Sequence, residues 1–508
     1  MVATYSRFDR LPVNLSRSAS ASLPAQLAEQ IRALVLQGVL QAGEALPSSR
    51  ALSQQLNVSR GTVVFAYEQL VGEGYLTASP GGTRVASQLA PLANSQQIQP
   101  ASPKGQKTSG PTFQTPVEPA QPPVPASQET ALDLRPGIPD TSLLASASWR
   151  AAWRQAAASP GRTFPPAGSP QLRQQLAQHL RLTRSVLRDP QDLMVTAGAR
   201  DGFRLVLTAL RLKVRGRPLR IAVENPGYPS LQRIPLAFGH QILPVEVDQD
   251  GLQPSLLPTG PDRPDLVLLA PSHQYPLGAS MPVSRRLELL AWARKNGAYI
   301  LEDDYDSELR YRGDPLPALA ALDQAGAERV ITLGSFSKLL APGLNLGFLL
   351  LPAHLRQELI GLRADLGNPV SSLTQEALTL FLASGGLRRH TARMRRIYTA
   401  RRQLLLTGLG QLPWGRVLPM DGGLHTVIHL PGLGAAEEAQ LVARLAEAGL
   451  LVEALGPYWS PQGTSGQGNQ ERVEPWRGLV LGFGGVPDRK LEQGLGLLRQ
   501  VLRESAPG

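Results

Sequence analysis

Near the start of the chain, apolar residues recur at helical spacing: Leu27, Ile31, Leu34 and Val35 mark one face of 24–37, and Gly38 ends the run. This predicts a first amphipathic helix. A second start follows at Leu46-Pro47-Ser48-Ser49, with Ala51, Leu52 and Leu56 expected on its buried side and Asn57-Val58 making the turn. Ser59 then caps a third helix, in which Val63, Ala66, Tyr67 and Leu70 fall at i, i+3, i+4 and i+7 and leave Arg60 and Thr62 exposed in the first turn. Beyond it, 74–77 and 83–85 flank Ser79-Pro80-Gly81-Gly82, the pattern of a hairpin with a glycine turn.

The pattern changes twice more. Residues 87–130 are Pro, Gln, Ser, Ala and Thr with almost no aromatics, which cannot bury enough apolar surface to offset chain entropy; this is expected to be a disordered linker between domains at 20–86 and 131–505. From there on, continuous apolar runs at 219–223, 266–270, 298–301, 330–333 and 348–351 end in polar clusters and alternate with helical stretches. Buried parallel strands read this way, so the large part is expected to be α/β, with its ligand site just past the carboxyl ends of the strands. Residues 463–470 read as a surface loop ahead of a strand-like run at 478–483.

Bulk properties narrow the picture only slightly. At 508 residues the chain is too long for one core, and 42% hydrophobic with 18% charged residues is ordinary for a folded protein. Cysteine is absent, which removes disulfides, thiolate metal ligands and a cysteine nucleophile, and suits a reducing cytosol. No metal site is expected. No signal peptide or apolar membrane span is read, so the expected location is cytoplasmic, without a membrane partner. The net charge of +11 favours polyanions without identifying one. The arginine cluster Arg388, Arg389, Arg393, Arg395, Arg396, Arg401 and Arg402 reads as a solvated helix face.

In a helix-turn-helix, the recognition helix offers its first turn to base edges in the major groove, where Arg60 and Thr62 lie here. The run Leu46-Pro47-Ser48-Ser49-Arg50, Val58-Ser59-Arg60, Thr62-Val63, Ala66-Tyr67, Leu70 and Glu73-Gly74-Tyr75-Leu76 resembles the GntR family of bacterial regulators, a winged helix-turn-helix of α+β type. By that resemblance Arg50, Arg60 and Thr62 contact a double-stranded DNA operator, and Gly82 lets the wing approach the minor groove.

In the large part, Gly334-Ser335-Phe336-Ser337-Lys338 follows a strand and sets one lysine among hydroxyls. Such a lysine can form a Schiff base with an aldehyde cofactor whose phosphate is held by serines and backbone N–H groups; a lone surface lysine is the bland alternative. Glu302-Asp303-Asp304-Tyr305-Asp306-Ser307-Glu308 offers a carboxylate to keep a pyridine nitrogen protonated and a phenol to tune the imine, or else is an acidic loop or a magnesium site. Asn225-Pro226-Gly227-Tyr228-Pro229 offers a ring for stacking, and Thr196-Ala197-Gly198-Ala199-Arg200 opens a helix whose first amides can hold phosphate.

In this order the clusters resemble fold-type I pyridoxal-phosphate aminotransferases, with a small C-terminal α+β subdomain. Joined to the N-terminal part, and with Pro271-Ser272-His273-Gln274-Tyr275-Pro276-Leu277-Gly278 in place of the usual asparagine-proline motif, they resemble the MocR group of GntR regulators. The resemblance implies that Lys338 holds pyridoxal 5'-phosphate, Asp303 pairs with the ring nitrogen, Tyr305 with the ring oxygen and Tyr228 stacks, while Ser335, Ser337, Gly198 and Ala199 hold phosphate. His273 lies near the ring, its alternative being a structural histidine. A homodimer is implied, with each arm over the partner's large domain.

Two positions depart from that pattern. Asn345 stands seven residues beyond the lysine, where a phosphate-gripping arginine is usual, and Arg200 is the candidate substitute. The arginine that binds a substrate carboxylate aligns with Val480, Arg477 being the nearest cation. Three functions follow: a regulator whose large domain binds pyridoxal phosphate and senses it or a small amino compound; an active aminotransferase with a fused DNA-binding domain; and a regulator whose large domain has lost the cofactor and only dimerises.

Overall fold

The computed structural model describes residues 11–16, 22–79, 82–86, 131–158, 161, 163–312, 316–323, 328–410, 412, 414–418, 420–460 and 474–505. The expected linker at 87–130 and loop at 463–470 lie outside them. The chain forms two units, 1–114 and 115–508.

The first unit contains α1 (Leu23–Leu36), α2 (Ser49–Leu56), α3 (Arg60–Gly72), β1 (Leu76–Ser79) and β2 (Gly82–Val85). Serine starts two of the helices: Ser48 Oγ accepts from Ala51 N at 3.2 Å and Ser59 Oγ from Thr62 N at 3.1 Å, each cap contributing about 1 kcal/mol. Asn57 takes the left-handed conformation that ends α2. Leu27, Ile31, Leu52, Val63, Ala66, Leu70, Leu76 and Val85 form one small core. Ala51, expected inside, is exposed and Ser53 is buried in its place, because the short helix turns its 52–53 edge inward and Ser53 Oγ bonds back to Arg50 O. The wing has a third rung: residues 43–46 pair with β2 through Gly43 N to Val85 O and Leu46 N to Thr83 O.

The second unit runs β3 (Leu132–Asp133), α4 (Ala147–Ala157), α5 (Pro170–Arg184), β4 (Leu193–Thr196), α6 (Gly198–Lys213), β5 (Arg220–Asn225), α7 (Pro229–Ala237), β6 (Gln241–Asp248) and β7 (Gly251–Leu252). It continues with β8 (Leu266–Leu269), α8 (Val283–Asn296), β9 (Tyr299–Asp304), α9 (Leu319–Leu322), β10 (Val330–Ser335), β11 (Gly347–Leu350), α10 (Arg356–Leu366), α11 (Ser372–Ala383) and α12 (Gly386–Leu409). The chain closes with β12 (Arg416–Val417), β13 (His425–His429), α13 (Ala435–Glu447), β14 (Leu450–Leu451), β15 (Glu453–Ala454), β16 (Gly478–Gly482) and α14 (Asp488–Glu504).

The main sheet has the order β4-β11-β10-β9-β8-β5-β6-β7. Strands β10, β9, β8, β5 and β6 are mutually parallel, β11 is antiparallel to β10, and β4 antiparallel to β11. The five apolar runs read from sequence are β5, β8, β9, β10 and β11. Helices cover both faces: Phe203, Val206 and Leu210 of α6 and Leu359 of α10 join one core, and Leu289 and Ala293 of α8, Phe381 of α11 and Met394 of α12 join the other. This two-sided burial explains why the strands are continuously apolar. A smaller antiparallel sheet, β12-β13-β16-β15, carries α13 and α14 and is the expected α+β subdomain; β3 pairs parallel with β14. Since β4, β5, β8, β9 and β10 all point the same way, their carboxyl ends open on one edge, and every polar cluster singled out above lies there.

Arg401 and Arg402 correct the reading of the arginine cluster. Both are buried: Arg401 bonds Asp488 and Asp140, each at 2.9 Å, and Arg402 bonds the Met420 carbonyl. The other five arginines are exposed.

Candidate functional site

On the first unit, Arg60 and Arg50 are exposed, and Arg60 Nε reaches Ser49 Oγ at 3.3 Å, so the first turns of α2 and α3 meet there. Thr62 is half-buried and its hydroxyl lies 2.9 Å from Ser59 Oγ, within the helix cap. Gly82 is exposed at φ +111°, a conformation open to glycine. Sequence reading missed Phe65, a large apolar side chain 62% exposed on α3.

On the second unit, Lys338 follows the end of β10 and its Nζ donates to the Gly137 carbonyl at 2.5 Å. Burial lowers its pKa, against the opposing pull of Asp306, Asp303 and Glu453. Gly137 has φ +81°, a conformation that favours glycine, and a Cβ there would lie 2.5 Å from Nζ, so any larger residue would have to displace the amine. Beside it, Ser335 Oγ and Ser337 Oγ are 3.1 Å apart and Ser337 N donates to Ser335 Oγ at 3.2 Å.

Among the described residues no three potential metal ligands converge in the acidic run at the end of β9, and its carboxylates point to different partners. Glu302 is fully buried, accepts from Leu319 N at 3.0 Å and lies 3.8 Å from Arg184. Asp304 pairs with Arg184 at 3.0 Å, Asp306 with His273 Nδ1 at 2.8 Å, and Glu308 with His179 at 2.6 Å. Asp303 is different. Its Oδ1 is buried with no hydrogen-bond partner, and burial, with repulsion from Asp304 and Asp306, pushes its pKa up to about 8. An orphaned, buried acid within electrostatic reach of the lysine fits a protonated pyridine nitrogen.

The Tyr305 hydroxyl donates to the His273 carbonyl at 2.9 Å and lies 3.0 Å from His273 Nδ1. With Nδ1 protonated toward Asp306, Nε2 is left a buried acceptor without a partner. Tyr228 caps the opening of α7, 39% exposed, its ring edge-on to Tyr275 at 5.3 Å between centroids. Gly198 and Ala199 open α6, where free amides collect. Arg200, one residue on, donates to Ser230 Oγ at 3.1 Å and depresses the Lys338 pKa, so a cation does stand near this mouth. Asn345 is left-handed at φ 45°, with its Oδ1 3.1 Å from where a Gly198 Cβ would lie.

Several residues here gave no signal in the sequence. His425 is buried, donates from Nε2 to the Pro276 carbonyl at 2.9 Å, and is held neutral, its pKa driven by burial down to about 3. Tyr275 lies 4.5 Å from the His425 ring and its hydroxyl 3.3 Å from that of Tyr458, which bonds Glu453. Glu224, at the end of β5, is a fully buried acid pushed by desolvation up to about 8. At the far wall, Val480 is buried among Tyr275, Met420, Val427 and Tyr458, while Arg477 pairs with Glu438 at 3.3 Å. The carboxylate-binding cation expected of an aminotransferase is therefore not at Val480, and Arg477 is committed elsewhere.

Comparison with known proteins agrees with both halves. Residues 23–85 match the family described as bacterial regulatory proteins, gntR family, and residues 131–462 match aminotransferase class I and II. The HTH-type pyridoxine biosynthesis transcriptional regulator PdxR of Corynebacterium glutamicum is 44% identical over 475 residues, 93% of this chain and 94% of its own. The probable rhizopine catabolism regulatory protein MocR of Rhizobium meliloti is 31% identical over 96% of this chain and 95% of its own. Among solved structures, the α-aminoadipate aminotransferase LysN of Thermus thermophilus, complexed with N-(5'-phosphopyridoxyl)-L-leucine, aligns at TM-score 0.64 with 23% identity, covering 74% of this chain and 93% of that one.

Proposed function

The chain belongs to the MocR-type regulators of the GntR family, and on that footing we propose that it is a transcription regulator whose operator binding responds to pyridoxal phosphate held on Lys338. GntR-type regulators bind DNA, and the class I and II aminotransferase fold implies dependence on pyridoxal phosphate.

The observation that carries it is the pairing of a partly desolvated lysine with an orphaned acid at one sheet edge. Pyridoxal phosphate, when bound, supplies an aldehyde for the lysine and an electron-withdrawing ring. Around it, the chain's own residues divide the labour. Burial keeps the Lys338 amine readier to lose its proton. Asp303 offers its free oxygen to the pyridine nitrogen, and Tyr305, fixed by His273 and Asp306, faces the ring oxygen. Tyr228 stacks, and Ser335, Ser337, Gly198, Ala199 and Arg200 hold the phosphate.

The effector is read as the cofactor itself. An amino acid would need its carboxylate held, and Val480 offers only an apolar wall; the relative named for pyridoxine biosynthesis supports the same choice. Coupling requires that the cofactor bind two arrangements of a homodimer unequally, with arms over partner domains, in the cytoplasm.

Titrating the full-length protein with pyridoxal phosphate should change its affinity for its own promoter DNA by about 5- to 150-fold, the usual span of allosteric coupling. Equal affinity with and without cofactor would sink the sensor reading. Sustained turnover between an amino donor and a keto acceptor would instead select the aminotransferase. In the same assay Arg60→Ala should weaken operator binding by about 1–3 kcal/mol if the guanidinium reads a base; an unchanged isotherm removes Arg60 from the interface.

A further inference from the structure

The five exposed arginines of α12 are not explained by either site. Helix α12 spans 24 residues, reads GLRRHTARMRRIYTARRQLLLTGL and contains no acidic residue. Leu387, His390, Thr391, Met394, Tyr398, Arg401 and Arg402 face inward. The outward face of its first turns is Arg388, Arg389, Arg393, Arg395 and Arg396, with the small Ala392 between them and Thr399 and Ala400 just beyond.

Arg389, Arg393 and Arg396 follow one another at i, i+4 and i+7, and Arg388 and Arg395 form a second row beside them. Among the described residues none of the five makes an ion pair, though Arg389 donates to the Ser384 carbonyl at 2.9 Å. Elsewhere in this unit several arginines are neutralised, Arg184, Arg188, Arg217, Arg285, Arg294, Arg363 and Arg401 each holding a carboxylate within 3.3 Å, whereas here five unpaired ones share one helix face. Like charges at i, i+4 cost a helix a few tenths of a kcal/mol per pair. Helical self-stabilisation therefore does not account for the face.

We propose that this face of α12 binds the phosphate backbone of duplex DNA, so that the aminotransferase-like unit is itself a DNA-contacting part of the regulator. From Arg389 to Arg396 the rise is about 10 Å, a length over which one strand of B-form DNA carries about three phosphates. Guanidinium forks over small side chains can reach such phosphates bidentately, without a neighbouring carboxylate to compete. This face does not fit against its own copy in a second chain, because such a contact would set five like charges against five.

The test takes the full-length protein and a random-sequence duplex of about 40 base pairs, roughly four helical turns, and measures affinity across a salt series. The triple variant Arg389→Ala/Arg393→Ala/Arg396→Ala should weaken binding at least about tenfold near physiological salt and flatten the plot of log K against log salt by about 3, one step per lost phosphate contact. Arg→Lys at the same three positions should restore most of the affinity and the slope, since charge rather than packing is at work. These positions are exposed and alanine favours helix, so the fold should survive, checked by an unchanged melting temperature. An alanine variant with parental affinity and slope overturns the proposal and leaves the winged-helix reading untouched. If the parent itself binds no duplex, the DNA-binding reading falls with it. A change in the protein's own sedimentation without DNA would mark the face as a protein contact, which also overturns it.

Discussion

Lys338→Ala is expected to abolish the visible absorbance that pyridoxal phosphate gives when joined to the wild-type protein, and with it any effect of the cofactor on operator affinity. Among the described residues at the site, this is the amine that can bond covalently to the aldehyde, and its environment is arranged for that. Burial favours the neutral, nucleophilic form, while Asp303, Asp306 and Glu453 limit the shift. Removing it leaves phosphate and ring contacts, which lack a bidentate arginine at Asn345. The cofactor should then be lost on dialysis. Reduction with borohydride followed by mass spectrometry gives an independent readout: in the parent the peptide containing Lys338 should carry the cofactor's mass, and in the variant no peptide should. A parent protein saturated with cofactor but unlabelled at Lys338 would contradict the assignment.

The same lysine shows how the site is closed. Its Nζ touches Gly137, in a segment tied to the smaller sheet through Gly482 N of β16 to Leu134 O at 2.7 Å, and to β14, just ahead of β15, through its pairing with β3. The amine of the large sheet thus meets backbone anchored in the other subdomain. Gly137→Ala should push the two apart, since its Cβ would overlap Nζ, and should lower cofactor affinity without touching any group that contacts the ring's polar atoms. A titration with unchanged affinity would show that the segment yields freely.

What the sequence disclosed and what it hid follow from the range of the interactions. Strands β5, β8, β9, β10 and β11 are legible because burial on both faces writes a continuous apolar run, and Lys338, Asp303 and Tyr228 are legible because each lies just past such a run. Strand β4 is only four residues, Leu-Met-Val-Thr, and β6 carries Pro244 with mixed polarity toward the sheet edge, so neither stands out. The serine caps of α2 and α3 are local and were readable. The partners of the acidic run were not: Arg184 lies 120 positions from Asp304, His179 lies 129 from Glu308, and His425 reaches its place only through the smaller subdomain. The burial of Arg401 and Arg402 is likewise decided from outside α12, by Asp140 and Asp488, 261 and 87 positions from Arg401, and by Met420 beyond the helix end.

Asp303→Asn should have opposite effects on the free and the cofactor-loaded protein. In the free protein the Asp303 pKa is pushed up to about 8 from an ordinary 3.8, because burial and repulsion from Asp304 and Asp306 outweigh the pull of Lys338 and no hydrogen bond reaches Oδ1. A folded-state pKa raised above the unfolded value gives stability that is whole below about 3.8 and is lost as pH rises toward about 8, since the unfolded chain gives up its proton first. Asparagine carries no such proton. The cofactor-free variant should therefore be more stable than the parent at pH 8, by on the order of 1–3 kcal/mol once the amide's own unpaired burial is counted, and the gap should close toward pH 5. With cofactor bound the order reverses. The pyridine N–H then gives the carboxylate both a hydrogen bond and a positive charge, a charge-assisted contact worth about 1.5–3 kcal/mol more than nothing, so the variant should bind cofactor about 10- to 150-fold more weakly. Thermal melts across pH, with and without pyridoxal phosphate, measure both signs in one series. A residue serving only to pack the sheet edge would move both curves the same way, and that result would take Asp303 out of the cofactor site.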